Sequence, residues 1–168
     1  FIRMEKPSFD VGKATLMDFR VGQEHGTTFV YVLPFSSTTA LIEYTLFTRD
    51  LLKPEAYDEA LENYVSQFLK VDSYTIEEEE FGVIPMTNYP FPPSHGRIIN
   101  IGTAGGQTKS SSGYTFQFIQ KHSDRIIEAL NKTGKPYLEK SPAEKRFAFY
   151  DATLLHILDK RKLEGAHV

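Results

Sequence analysis

From Arg97 to Leu130 the chain reads RIINIGTAGGQTKSSSGYTFQFIQKHSDRIIEAL: an apolar strand, a glycine-rich loop and an amphipathic helix in immediate succession. That succession constrains the fold more than any other stretch. Ile98, Ile99 and Ile101 predict a short buried strand. Gly102, Gly105 and Gly106 permit tight backbone geometry and close approach of a ligand. Ser110 to Ser112 offer hydroxyls for an N-cap. From Gly113 onward, Phe118, Ile119, His122, Ile126, Ile127 and Leu130 recur at helical spacing. Such a loop turns N–H groups and the positive end of a helix dipole toward an anion, a phosphate or an electron-rich ring. The same pattern also serves as a plain turn, and by itself it leaves both open.

Upstream, three runs predict strands of an antiparallel meander: Ala14 to Val21, Thr27 to Leu33 and Ala40 to Thr48. In the first, alternation puts Leu16, Asp18 and Arg20 on one face and Met17, Phe19 and Val21 on the other. Residues 1 to 13, with Pro7 and Gly12, read as irregular. Pro54 to Leu69 predicts a helix, with Tyr57, Leu61, Tyr64, Val65 and Phe68 on its apolar stripe. Tyr74 to Met86 reads as a strand with Glu77 to Glu80 in its middle, and Asn88 to Gly96, with three prolines, as a loop. Thr133 to Lys140 reads as a linker. Ser141, Pro142 and Glu144 form a capping box opening a last helix to about Lys162.

Glu43 is the residue that pattern alone singles out. It alternates with Leu41, Thr45 and Phe47, so it shares a largely apolar strand face. A carboxyl there is expected to be desolvated and its pKa raised, which suits a general acid. An edge glutamate reaching solvent, or one paired with Arg20, fits the same pattern. Asp18 and Arg20 pair with each other, orient a ligand, or form a wet face. Lys109 either neutralises an anion in the loop or is simply solvated.

A net charge of −3 gives no reason to expect nucleic acid. The absence of cysteine excludes disulfides and thiolate metal sites. The five histidines lie at no metal-ligand spacing, so no metal is expected. Neither a nucleophile elbow nor a Walker loop is present. No apolar run reaches the roughly 18 residues that span a bilayer. Most of the 13 phenylalanines and 9 tyrosines are expected in the core; lining a pocket for a long apolar substrate is the other reading of any excess, and the sequence leaves both open.

Four stretches in order complete the reading: MDFR at Met17 to Arg20, FVYVLPFSSTTALIEYTLF at Phe29 to Phe47, FGVIPM at Phe81 to Met86, and IGTAGGQTKSSSGYTFQFIQ at Ile101 to Gln120. Together they resemble the flavin-dependent lycopene cyclases, most closely the bacterial type. The resemblance implies an α/β architecture: a mixed, largely antiparallel substrate-domain sheet with helices, plus the second half of a FAD-binding domain of the glutathione-reductase and hydroxybenzoate-hydroxylase kind. Residues 1–92 are then substrate domain, 97–132 the returning FAD-domain strand, loop and helix, and 141–163 a C-terminal helical segment. By the same resemblance Gly102, Thr103, Ala104, Gly105, Gly106 and Gly113 meet reduced FAD, with NAD(P)H as the reductant.

Glu43 falls on the glutamate of the family's Glu-rich strand motif, whose plant form reads Phe-Leu-Glu-Glu-Thr. Here Tyr44 replaces the second Glu and Thr45 is kept. The resemblance implies that Glu43 is the acid–base residue that cyclises the linear ends of lycopene to β-rings, with Asp18 and Arg20 on the active-site face. It also implies a cytoplasmic bacterial protein in peripheral contact with a membrane. The family's G-x-G-x-x-G fingerprint is absent, and Thr103 stands where many related flavoproteins carry Asp. The expectation is therefore an internal or C-terminal fragment of a longer enzyme, inactive alone. A prenyl-lipid reductase or aromatic monooxygenase of the same fold, or a non-catalytic α+β binding module, are the other readings.

Overall fold

The computed structural model describes residues 1–71, 73–136, 138 and 142–160. The chain divides into two compact units, one covering Phe1–Phe81 and one covering Gly82–Lys162. Among the described residues the class is mixed α/β, with an antiparallel sheet and three α-helices. No helix among the described residues is long and apolar enough to cross a membrane.

The first unit is built on a five-stranded antiparallel sheet. Its strands are β1 (Ile2–Met4), β2 (Thr15–Asp18), β3 (Thr27–Pro34), β4 (Thr39–Phe47) and β5 (Tyr74–Ile76), in the order β2-β3-β4-β1-β5. The β2-β3-β4 meander is the one expected. β-Branched and aromatic residues alternate along β3 and β4, and the two run in register from Thr27 opposite Phe47 to Pro34 opposite Ala40. Their hairpin is closed by Ser36, whose Oγ accepts the amides of Thr38 at 3.1 Å and Thr39 at 3.0 Å. Gly26 opens β3 at φ 139°, and a Cβ there would stand 2.2 Å from the carbonyl oxygen of Phe47, so only glycine fits.

The N-terminal residues, expected to be irregular, instead supply β1 between β4 and β5. Three residues carry no readable period; pairing partners some 40 and 70 positions away decide their state. The expected strand over Tyr74 to Met86 ends at Ile76. Four successive carboxylates leave it no apolar face, and Glu77–Glu80 are exposed.

α1 (Pro54–Tyr64) runs on into one wide π turn, Val65–Leu69, so together they span the expected helix. Their Tyr64 and Val65 pack with Ile2, Met4, Val30, Val32, Ala40 and Ile42 to form the core. All the sheet residues in that set are even-numbered. The helix therefore covers the even face of the sheet, and each such buried aliphatic contributes about 1.5–3 kcal/mol.

The second unit contains a two-residue hairpin, β6 (Ser94–His95) against β7 (Ile98–Ile99), a 3-10 turn at Gly102–Gly105, α2 (Phe116–Thr133) and α3 (Pro142–Asp159). The strand at Ile98 is present but not buried: Ile98 is 70 % exposed and Ile101 58 %. A two-residue strand on a lone hairpin has no second layer against which to bury those side chains. α2 begins at Phe116, not Gly113. Its N-cap is Thr115, not one of the serines. Ser110–Ser112 sit in a turn in which the amides of Ser112 and Gly113 bond the Lys109 carbonyl. For α3, the expected capping residue Ser141 and the expected end near Lys162 lie outside the described residues.

Candidate functional site

Odd-numbered residues of β3 and β4 point away from α1 and form the face that carries Glu43. Directly across from Glu43 in the ladder is Tyr31, while Phe29 faces Thr45 and Thr27 faces Phe47. Phe29 lies at the centre of this face, 2 % exposed. It makes edge-on contacts with Tyr31 at 5.4 Å and Phe47 at 5.3 Å, and it also meets Phe19 at 5.4 Å. The apolar company expected for Glu43 is therefore real. The expected desolvation is not: Glu43 is exposed, and its Oε1 accepts a hydrogen bond from Thr45 Oγ1 at 2.9 Å. α1 packs on the opposite face, and the rings on this one draw in around Phe29 without roofing the carboxyl. Nor is Glu43 the partner of Arg20, which is committed elsewhere.

Asp18 and Arg20 pair with each other on the even side of the sheet. Met17 takes a left-handed conformation, φ 52°, where the β2–β3 register shifts. Asp18 thereby turns inward, its side chain only 7 % exposed. It accepts Arg20 Nε at 2.8 Å, a terminal guanidinium nitrogen at 2.5 Å and the Arg20 amide at 3.1 Å. The phenol of Tyr64, a ring 1 % exposed, donates to its Oδ2 at 2.7 Å. The Arg20 guanidinium, joined by that phenol, holds the Asp18 carboxyl at about 2, below its ordinary 3.8. Burial, reinforced by the Asp18 carboxylate, pushes the Tyr64 phenol up to about 12. Arg20 also lies over the Phe68 ring at 4.6 Å, in a cleft of about 340 Å³ that Glu24, His25 and Glu59 help to line. Tyr64 was legible only as core. The signal for more was its hydroxyl, which a buried apolar stripe leaves needing a partner.

In the second unit the glycine loop folds back on itself. The Gly105 amide bonds the Ile101 carbonyl, Gly106 bonds Thr103, and Gln107 bonds Gly102. Those three donors are spent. Among the described residues, the amides of Thr103 and Ala104 make no backbone hydrogen bond outside the turn. A Cβ at Gly105 would stand 2.4 Å from the Asn100 carbonyl oxygen, so this glycine is required by the loop itself. Gly102, Gly106 and Gly113 all adopt left-handed φ, 60°, 70° and 75°. From Ile98 to Tyr114 there is no carboxylate. The first turn of α2 carries no acidic residue, and Thr115 gives it no side-chain cap.

Lys109 is not free to meet an anion, because it forms an ion pair with Asp151 of α3 and is 27 % exposed. Gly105 and Gly106 border a cavity of about 180 Å³ into which His122, Arg125 and Glu144 also reach. Arg125 donates to Glu144 at 2.6 Å. The Nδ1 atom of His122 is buried and has no hydrogen-bond partner among the described residues. Burial, helped by nearby Arg125, lowers the His122 pKa below its ordinary 6.5. Among the described residues, no three His, Asp or Glu side chains are grouped to hold a metal.

Comparison with known proteins places the chain in a family. A family model described as lycopene cyclase protein matches residues 1–166. A lycopene beta cyclase of Narcissus pseudonarcissus is 34 % identical over 123 residues, which cover 66 % of this chain and 24 % of that protein. One of Capsicum annuum is 35 % identical over 124 residues, with the same coverage. A lycopene beta-cyclase of Pseudescherichia vulneris is 37 % identical over 75 residues, 43 % of this chain and 19 % of that protein. The chain thus matches about a quarter of the length of these plant relatives. No solved structure matches it.

Proposed function

The chain belongs to the lycopene cyclase family, and from that premise we propose that it is part of an enzyme that closes the linear ends of lycopene into β-ionone rings. The reaction is an isomerisation: one proton enters, one leaves, and no electrons are transferred overall. Glu43, protonated, donates to the terminal double bond. The adjacent double bond closes on the resulting cation, and loss of a proton completes the ring. What supports Glu43 is its place on β4, a lone carboxyl on a sheet face of Phe29, Tyr31, Leu41 and Phe47. A hydrocarbon chain laid on that face would remove water from the carboxyl, and burial favours the neutral, proton-bearing form of any carboxylic acid. The desolvation missing from the structure is then supplied by the substrate.

The glycine loop fits a flavin by its own chemistry. It presents left-handed backbone at Gly102 and Gly106 and has no acidic residue in its own stretch from Ile98 to Tyr114. The backbone of Gly102, Thr103, Ala104, Gly105 and Gly106 would hold reduced FAD, with Gly113 leading into the uncapped N-terminus of α2. When bound, reduced FAD would supply negative charge, with NAD(P)H serving only to reduce it. On this reading residues 97–132 would be the returning strand, loop and helix of a FAD-binding domain of the glutathione-reductase and hydroxybenzoate-hydroxylase kind. A substrate dissolved in lipid also calls for peripheral contact of the parent protein with a bilayer.

The test is Glu43→Gln in the full-length parent, supplied with lycopene and reduced FAD. β-Ring formation is expected to stop while the flavin spectrum persists. Continued cyclisation would remove Glu43 from the chemistry. Stoichiometric consumption of NAD(P)H per product would move the enzyme to the reductases or hydroxylases of the same fold.

A further inference from the structure

Two positions beyond Glu43 on β4, Thr45 returns to the same face of the sheet, because successive side chains alternate across a strand. Its Oγ1 donates to Glu43 Oε1 at 2.9 Å. Two features hold that hydroxyl in place. Threonine is branched at Cβ, which restricts its χ1. Thr45 is also half-buried, with Phe29 directly across the β3–β4 ladder, at a separation of about 5 Å between facing Cβ atoms. Phe29 is itself 2 % exposed and fixed by ring contacts with Phe19, Tyr31 and Phe47. Glu43, by contrast, is exposed on a flexible stem. The stiff partner of the pair therefore orients the mobile one.

A protonated carboxyl has two unlike oxygens: one carries the proton and donates, the other accepts as a carbonyl. A hydroxyl donating to Oε1 holds that atom as the carbonyl and leaves the proton to Oε2. As the proton departs, charge spreads onto Oε1, and a hydrogen bond to a charged acceptor is roughly twice as strong as one to a neutral acceptor. The bond thus strengthens on the way to the transition state, which is the condition for raising kcat.

We propose that Thr45 is a positioning residue for the cyclisation, its hydroxyl holding Glu43 with the proton on Oε2 and stabilising the carboxylate that forms. The proposal rests on Glu43 being the acid. In the step concerned, the Oε2–H bond breaks and its proton forms a C–H bond at the terminal alkene carbon, drawing on the alkene π pair. The O–H electron pair stays on the carboxylate, shared with Oε1, and the substrate is left as a tertiary cation. Thr45 keeps its own proton throughout.

The experiment uses the full-length parent with reduced FAD and lycopene in phosphatidylcholine vesicles. Thr45→Val keeps the shape and the β-branch and removes only the hydroxyl. It is expected to lower kcat by about 5- to 30-fold, with KM within about twofold and the bound-flavin spectrum unchanged. Thr45→Ser restores the donor and is expected to keep kcat within about threefold of the native chain. An unchanged or raised kcat in Thr45→Val, a loss confined to KM, or an equal loss in Thr45→Ser would overturn the role of the hydroxyl. Should Thr45→Val fail to fold, Thr45→Ser against Thr45→Ala poses the same question, a hydroxyl against none. Glu43→Gln separates the two ideas. An inactive Glu43→Gln beside a fully active Thr45→Val sinks only the Thr45 proposal; an active Glu43→Gln sinks the acid assignment on which it rests.

Discussion

Replacing Asp18 by Asn tests the most heavily bonded polar cluster in the first unit. The change keeps shape and an acceptor for Tyr64, but it removes the charge that Arg20 faces at 2.5 Å. A carboxyl held at about 2 instead of 3.8 carries about 2.5 kcal/mol, at about 1.4 kcal/mol per pH unit. Arg20 is 64 % exposed, so solvent screening reduces this to about 1–1.5 kcal/mol. Because the folded-state value is depressed, the contribution is complete above the ordinary carboxylate range and is lost as pH falls through about 2. Hydrogen exchange of the α1 backbone in a urea series on the full-length protein reads this locally, at pH 7, 5 and 3.5. Asp18→Asn is expected to open more easily than the native chain by the same margin at pH 7 and 5, with the gap narrowing at pH 3.5. A gap that does not change with pH would refute the claim that the folded state selects the ionised carboxylate.

Three further outcomes are expected. Gly105→Ala forces a methyl group against the Asn100 carbonyl, 2.4 Å away, and is expected to cost about 2–3 kcal/mol and to lower flavin retention, read by thermal melting and the bound-flavin spectrum. Asp151→Asn breaks the partly buried Lys109 pair and is expected to loosen α3 by about 1–2 kcal/mol, seen as faster proteolysis within it. His122 has a lowered pKa, so the second unit is expected to lose stability as pH falls below about 6.5, where the unfolded chain takes up the proton first; His122→Phe should remove that slope in pH-dependent hydrogen exchange of α2.

Local chemistry made much of this legible. Alternation marked β3 and β4, the 3-4 repeat marked α1, and the run of motifs carried the family. Reading the carboxyl of Glu43 as sharing a largely apolar face needed only a period of two. Where regular alternation broke, the sequence named the Asp18–Arg20 pair as one reading but not its burial. The left-handed turn at Met17 sent Asp18 inward, toward a phenol 46 positions away that no local window includes. The serines after Lys109 looked like caps because capping residues also favour turns, and here the turn prevailed.

The residues by themselves determined which side chains share a strand face or a helix stripe, because those periods are set by backbone geometry at each position. They also determined where only glycine is tolerated, since a positive φ or a carbonyl within van der Waals reach excludes a Cβ. Tertiary structure alone decided which of two equivalent sheet faces α1 would cover. That choice buried Val30 and Ile42 under the helix, while on the opposite face the rings close over Phe29 and leave Glu43 in water.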